Sequence, residues 1–289
     1  MPAIETSPQR LFESAVENWK RLDIRGTAAW RIPGESDDMV YLMIHGFRGD
    51  HHGLAAIAAG LKSFEVIIPD LPGYGKSPAL PSSDLDSYAK WLIDLTEQIQ
   101  RPVVLIGHSF GTLVCSRAID TGLRVERLCL IAPISTRSLE QQDLGNSVAR
   151  VFYKFTKRLG GFGSFLMRSS LVVQIMSIAM ATTSDRRLRA WIHNQHQSHF
   201  SNYQNDEVVE TGFWSAAKSS VRDFARKIQV PTLLIAGDRD LIAPLEGQLH
   251  LDADLENSTL EIVPGIGHLL HYEAPARVAE LIENFTKSE

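Results

Sequence analysis

Short apolar runs and helical patterns take turns along most of this chain, and that alternation restricts the fold more than any other feature. Val40 to Ile44, Glu65 to Ile68, Val103 to Ile106, Arg127 to Ile131, Thr232 to Ala236 and Leu260 to Val263 read as buried strands. Between or after them, Gly53 to Lys62, Leu85 to Ile99, Phe110 to Thr121, Pro244 to Leu251 and Ala274 to Thr286 carry helical spacing. Strand and helix in alternation predict an α/β fold, a mostly parallel sheet with helices on both faces. Ahead of this core, Pro8 to Lys20 sets Leu11, Phe12, Val16 and Trp19 on one helical face. Gly26 to Ile32 reads as a strand, and Pro33 to Asp38 as the turn that follows.

One gap interrupts the rhythm. No strand pattern occurs from about Ser135 to Ser220, an excursion too long for a simple loop. The expected organisation is a core of residues 1–134 and 221–289, with 135–220 inserted as a helical lid. Leu171, Val172, Ile175, Met176, Ile178 and Ala179 supply that lid with an apolar face. Gly160 to Gly163 marks a helix break within it; without a preceding strand or a following Gly-Lys-Ser/Thr it is no phosphate loop. Such a lid would roof the C-terminal edge of the sheet, where open α/β sheets bind ligands.

Bulk composition excludes several classes. The chain has 289 residues, of which 44% are hydrophobic, enough for one large core. A net charge of −5 without a long basic run argues against nucleic-acid partners. Cys115 and Cys129, the only two cysteines, sit in apolar company and read as buried free thiols rather than a disulfide or metal ligands. The first residues are acidic and lack an apolar signal core, and Leu171 to Ala181 is about half a bilayer span. A cytoplasmic protein without a membrane span is expected, and nothing in the pattern specifies an oligomeric state.

The sharpest local signal is Gly107-His108-Ser109-Phe110-Gly111, directly after one strand and directly before a helix. A strand-to-helix turn this tight needs glycine on both sides, and it forces Ser109 outward at a helix N-terminus, where backbone N–H groups favour an anion. A serine hydroxyl is a weak nucleophile and needs a base held by a third group. Candidates follow in the order acid, then histidine. Asp238 and Asp240 come after the strand Thr232 to Ala236, and His268 comes after Leu260 to Val263, preceded by Gly267.

With these pieces in place, the chain outside the lid resembles the α/β-hydrolase superfamily. The resemblance rests on His45-Gly46-Phe47, on Asp70-Leu71-Pro72-Gly73-Tyr74-Gly75-Lys76-Ser77, on the Gly107 to Gly111 elbow, on Gly237-x-x-Asp240 and on Gly267-His268. It implies an α/β-hydrolase fold, Ser109 as nucleophile, His268 as base and Asp240 rather than Asp238 as the acid. It also implies that the backbone N–H groups of Phe47 and Phe110 form the oxyanion hole. His268 is preferred over His271 because Gly267 lets its loop approach the serine; His271 is expected to open the final helix. No metal or organic cofactor is required.

Further residues carry weaker signals. Arg48 could meet a substrate carboxylate or pair with Asp50, and His108 and Trp191 are candidate substrate contacts. His193, His196 and His199 recur every three residues without a nearby thiol or carboxylate, so a substrate contact or solvated face is favoured over a metal site. His51 and His52 are expected at the pocket mouth or on a surface loop, and Asp70 is expected to accept turn amides rather than do chemistry. The favoured function is hydrolysis of a small-to-medium, largely apolar carboxylic ester, the partner being a small acyl substrate. Carbon–carbon bond hydrolysis, thioester hydrolysis, acyl transfer and a hydrolase-derived ligand receptor remain alternatives on the same residues, whereas serine at the elbow excludes halide and epoxide chemistries that use aspartate there. A membrane-surface lipase would call for a secretion signal or an amphipathic basic helix, and neither stands out.

Overall fold

A computed structural model describes residues 7–137, 139–140 and 144–287. The first helix, α1 (Pro8–Asn18), starts where the Ser7 side chain accepts the Arg10 N–H and proline occupies the first turn. Next come β1 (Lys20–Ile24) and β2 (Thr27–Ile32), an antiparallel hairpin turned through Arg25 and Gly26, both with positive φ. The sequence pattern signals only the second of these strands. β1, Lys-Arg-Leu-Asp-Ile, lies on the sheet edge with polar residues exposed, so it lacks an apolar run.

β3 (Ser36–Ile44) starts four residues before Val40 and absorbs Ser36 to Asp38, which had read as turn. The core continues through α2 (Ala55–Gly60), β4 (Phe64–Pro69), α3 (Leu85–Ile99), β5 (Val103–His108), α4 (Phe110–Asp120) and β6 (Arg127–Ile131). Between β6 and β7 the chain is helical: α5 (Leu144–Arg158), α6 (Gly161–Arg168), α7 (Ser170–Met180), α8 (Arg186–His199) and α9 (Asp206–Lys218). Gly160, at φ +53°, breaks α5 from α6, as its sequence suggests. The core closes with β7 (Thr232–Gly237), α10 (Leu245–Asp254), β8 (Ser258–Val263), α11 (Leu270–Glu273) and α12 (Pro275–Lys287).

The eight strands run in the order β1-β2-β4-β3-β5-β6-β7-β8, and every pairing from β4 to β8 is parallel. Side chains alternate across each strand. Val40, Leu42 and Ile44 therefore join one core layer with α3 and α4, while Tyr41 and Met43 join the other with α1, α2 and α12. Cys115 belongs to the first layer and Cys129 to the second, so both thiols are free, buried and separated by the sheet.

The inserted helices depart from expectation in two ways. The apolar set on α7 does not form one inward face: Met176, Ala179 and Met180 line the internal cavity, whereas Leu171, Ile175 and Ile178 point to solvent. A helix of this kind needs apolar atoms on both sides. Second, α5 is an amphipathic basic helix that the sequence reading missed, because Arg150, Lys154 and Arg158 interleave with Val151, Tyr153 and Phe155 and hide any greasy run. Among the described residues no single helix is long and apolar enough to cross a membrane.

Candidate active site

The parallel strands deliver the predicted functional residues to one edge of the sheet. Ser109 joins β5 to α4 with φ +51° and ψ −117°, a strained conformation for a residue with a side chain. Its neighbours explain why glycine flanks it. A Cβ on Gly107 would sit 2.8 Å from the Gly111 carbonyl oxygen, and one on Gly111 would strike the carbonyls of Ile44 and His45. A Cβ on Gly46 would lie 3.0 Å from the His108 ring and 3.3 Å from Ser109 Cβ. The loop after β3 can thus lie directly against the elbow, with Gly46 packed on His108 and Ser109. Phe110 is the first residue of α4, so its N–H has no helical partner one turn back.

Two loops complete the constellation. His268 Nε2 lies 2.8 Å from Ser109 Oγ, and His268 Nδ1 lies 2.8 Å from Asp240 Oδ2. The other Asp240 oxygen accepts the Ile242 and Ala243 N–H groups at 2.8 and 2.9 Å. Burial works to raise the Asp240 carboxyl, but His268 and the two amides outweigh it and hold the group below its ordinary value. Asp238 does a different job: it accepts the Gly265 N–H at 2.6 Å and ties the β7 loop to the β8 loop.

Gly267 is required for a reason other than approach to Ser109. A Cβ there would come within 2.5 Å of Thr182 Cγ2, and the Gly267 N–H donates to the Thr182 hydroxyl oxygen at 3.0 Å. Thr182 in turn donates its hydroxyl to Glu273, which also accepts the Thr182 and Thr183 N–H groups. The connection between α7 and α8 is therefore clamped onto the His268 loop. His271 does not open the final helix, a place taken by Pro275. It sits in the one-turn α11, buried 4.1 Å from the His108 ring, and has no contact with Ser109 Oγ.

These residues face a cavity of about 580 Å³ whose wall is overwhelmingly apolar. The core side contributes Phe47, His108 and Phe110; the inserted helices contribute Tyr153, Met176 and Phe213. Two of its buried histidines resist protonation. Burial, reinforced by His268, lowers His108 to about 3, and burial lowers His271 well below its ordinary value. His196 and His199 also reach the cavity, whereas His193 does not. Nδ1 of His193 and Nδ1 of His196 converge on the Ser177 hydroxyl at 2.6 and 2.7 Å. His199 stacks on His52 at 3.8 Å and points Nδ1 toward Asp50, 3.6 Å away.

Three expectations fail here. Arg48 lines no part of the cavity and pairs with no carboxylate among the described residues; it is fully buried. Its guanidinium donates to the carbonyl of Met167 at 2.7 Å and to that of Phe200 at 3.3 Å, with Phe200 and Tyr203 rings at its faces. Those carbonyls belong to the C-terminal ends of α6 and α8, which carry orphan acceptors and partial negative charge. A buried cation is tolerable because two helix ends converge on it. Trp191 also misses the cavity: it packs edge-on against Phe12 of α1 and Tyr272. His51 is buried behind the loop, stacked flat on Trp30 and held by Asp70, which also accepts the His51 and Lys76 N–H groups. Asp70 is thus the turn acceptor its sequence predicts.

An elbow serine after β5, an aspartate after β7 and a histidine after β8 of a mostly parallel sheet define a hydrolase fold, and the sequence profile of the Alpha/beta hydrolase family matches residues 41–281. The chain belongs to that family. Among curated relatives it is similar to pimeloyl-[acyl-carrier protein] methyl ester esterase of Aeromonas hydrophila subsp. hydrophila, 25% identical over 259 residues, covering 87% of this chain and 96% of the relative. The protein of the same name from Chromobacterium violaceum is 28% identical over 239 residues, covering 81% and 88%. Among solved structures, an esterase from Exiguobacterium antarcticum superposes with a TM-score of 0.74 at 19% identity, covering 94% of this chain and 99% of that one. A bromoperoxidase from Bacillus anthracis gives 0.73 at 19% identity, covering 94% and 100%. At that identity the structural likeness speaks for the fold alone.

Proposed function

We propose that this chain is a serine hydrolase of carboxylic esters with small-to-medium, largely apolar acyl groups. The observation that carries the reading is the unbroken hydrogen-bonded line from Asp240 through His268 to Ser109, ending in an apolar cavity. His268 Nε2 takes the Ser109 proton as Oγ attacks the ester carbonyl, while Asp240 fixes the imidazole tautomer and stabilises the imidazolium. The N–H groups of Phe47 and Phe110 receive the developing oxyanion, one such donor contributing roughly 3–4 kcal/mol. The imidazolium protonates the leaving alcohol, and a water deprotonated by His268 then releases the acid. No step calls on a metal or organic cofactor. The curated esterase relatives support the ester as the bond cleaved.

In this reading residues 135–220 act as the lid, since α5, α7, α8 and α9 all contribute to the cavity wall. A volume near 580 Å³ suits an acyl chain of modest length. The test is hydrolysis of a p-nitrophenyl ester series by the wild type and Ser109→Ala. Turnover falling by about five to six orders of magnitude in the variant is expected, because the three residues act as a unit. Equal inertness of both proteins, with no fluorophosphonate labelling of Ser109, overturns the reading. Labelling without ester turnover would move the substrate to thioesters or carbon–carbon bonds.

A further inference from the structure

The outer surface of α5, α6 and α7 takes no part in the cavity. It exposes Val151, Phe155, Phe162, Phe165, Leu171, Ile175 and Ile178, each between 54 and 69% accessible. The residues recur at helical spacing, three or four apart within each helix, so each helix turns one apolar stripe outward. The helices are packed in series, α5 on α6 and α6 on α7, and the Phe162 and Phe165 rings stack at 6.4 Å. α6 and α7 meet at 46°. Apolar residues scattered singly need no explanation, but seven on three adjoining helices form a surface that a freely dissolved protein rarely presents.

Charge says what covers it. Residues 144–205 hold eight Lys or Arg and one Asp or Glu, a balance of +7, in a chain whose total is −5. The remainder of the molecule is therefore −12, so the net positive charge is concentrated in residues 144–205. On α5, Arg150, Lys154 and Arg158 alternate with exposed Val151 and Phe155. Aromatic and aliphatic residues interleaved with cations, on a molecule otherwise acidic, match an interface of acyl chains under anionic headgroups. An acidic second copy of this chain has no comparable acyl layer to offer.

We propose that the α5–α7 face docks on anionic phospholipid membranes, lying in the interface without spanning it. The placement matters for the cavity beneath. α7 presents Leu171, Ile175 and Ile178 outward and sets Met176 and Met180 against the cavity, so one helix separates the membrane from the pocket. An apolar ligand leaving the bilayer would enter past this helix and not through bulk water.

Docking is tested independently of hydrolysis by vesicle flotation of the full chain carrying Ser109→Ala. The probes are phosphatidylcholine vesicles, alone and with about 30% phosphatidylglycerol. The protein is expected to float with the anionic vesicles and to be released by high salt. Phe162→Ser with Phe165→Ser should lower partitioning about tenfold or more, and Arg158→Glu should lower it on anionic vesicles only. In the Ser109 background, both variants should keep wild-type turnover of a soluble ester and an unchanged circular dichroism spectrum, which excludes misfolding. Failure to float with either vesicle overturns the proposal. So does flotation that the variants leave intact, or a dimer in solution that the Phe162 and Phe165 changes convert to monomer, since a second copy would then be the occupant.

Discussion

Replacing Arg48 by methionine separates two accounts of a buried cation next to the active-site loop. The guanidinium's strongest bond is to the Met167 carbonyl at 2.7 Å; those to Phe200 and to the Tyr153 and Ser201 hydroxyls are 3.3 to 3.4 Å long. One good charge-assisted bond contributes roughly 1.5–3 kcal/mol, and the stacked rings add about 0.5–2 kcal/mol. Methionine keeps much of the packing volume and removes several kcal/mol of buried-charge desolvation, but it leaves two helix-end carbonyls without a donor. The net cost is expected to be ~2–3 kcal/mol, a lowering of Tm by roughly 3–5 °C for a domain of this size. Because Phe47 precedes Arg48, kcat on a neutral ester should fall about tenfold as its amide shifts. Arg48→Lys should recover little of this, since one ammonium cannot fork between two carbonyls. Calorimetry and steady-state kinetics on paired neutral and carboxylate-bearing esters decide the matter. A methionine variant of wild-type stability whose KM rises only for the carboxylate-bearing ester would refute the structural role and restore Arg48 as a substrate contact.

Asp240→Asn should leave the fold intact and lower kcat by about four orders of magnitude, because the amide favours the wrong imidazole tautomer; an effect below tenfold would remove Asp240 from the mechanism. Stability should fall as pH drops below about 6.5, since His108, His196 and His271 are all depressed by burial in the folded state and the unfolded chain takes up protons first. The lowered Asp240 carboxyl acts in the same direction at lower pH. His271→Phe should flatten the slope between pH 6 and 5 by about 1.4 kcal/mol per pH unit, measured by urea titration; an unchanged slope would show that His271 is not a proton-refusing group. Gly267→Ala should lower kcat by pushing Thr182 off Glu273, and the added Thr182→Ala change should partly restore it, so strictly additive effects would argue against that contact.

The sheet was largely legible because buried parallel strands are continuous apolar runs, and Arg127–Ile131 and Leu85–Ile99 match their predicted ends to the residue. The places of Ser109 and His268 at the sheet edge were legible because each follows an apolar strand and stands beside a glycine that close packing demands, Gly107 and Gly111 at the elbow and Gly267 against Thr182. The fates of Arg48, Trp191 and His51 were not, since each depends on an element far away in sequence. Arg48 meets carbonyls 119 and 152 residues later, a packing event that leaves no mark on the Phe47-Arg48-Gly49 tripeptide. The same holds for α7, whose two apolar sides look identical to a pattern search although one meets the cavity and the other solvent.

The Ser177 hydroxyl has a single hydrogen and two imidazoles waiting on it. If it gives that hydrogen to His193, the His196 ring must supply its own from Nδ1, and its Nε2 is left as a bare lone pair. If His193 takes up a proton, Ser177 must turn and donate to His196 Nδ1, and His196 Nε2 becomes an N–H. The half-buried His193 thereby dictates whether an atom of the cavity-lining His196 ring offers or accepts a hydrogen bond, a binary instruction carried inward by the rotation of one O–H.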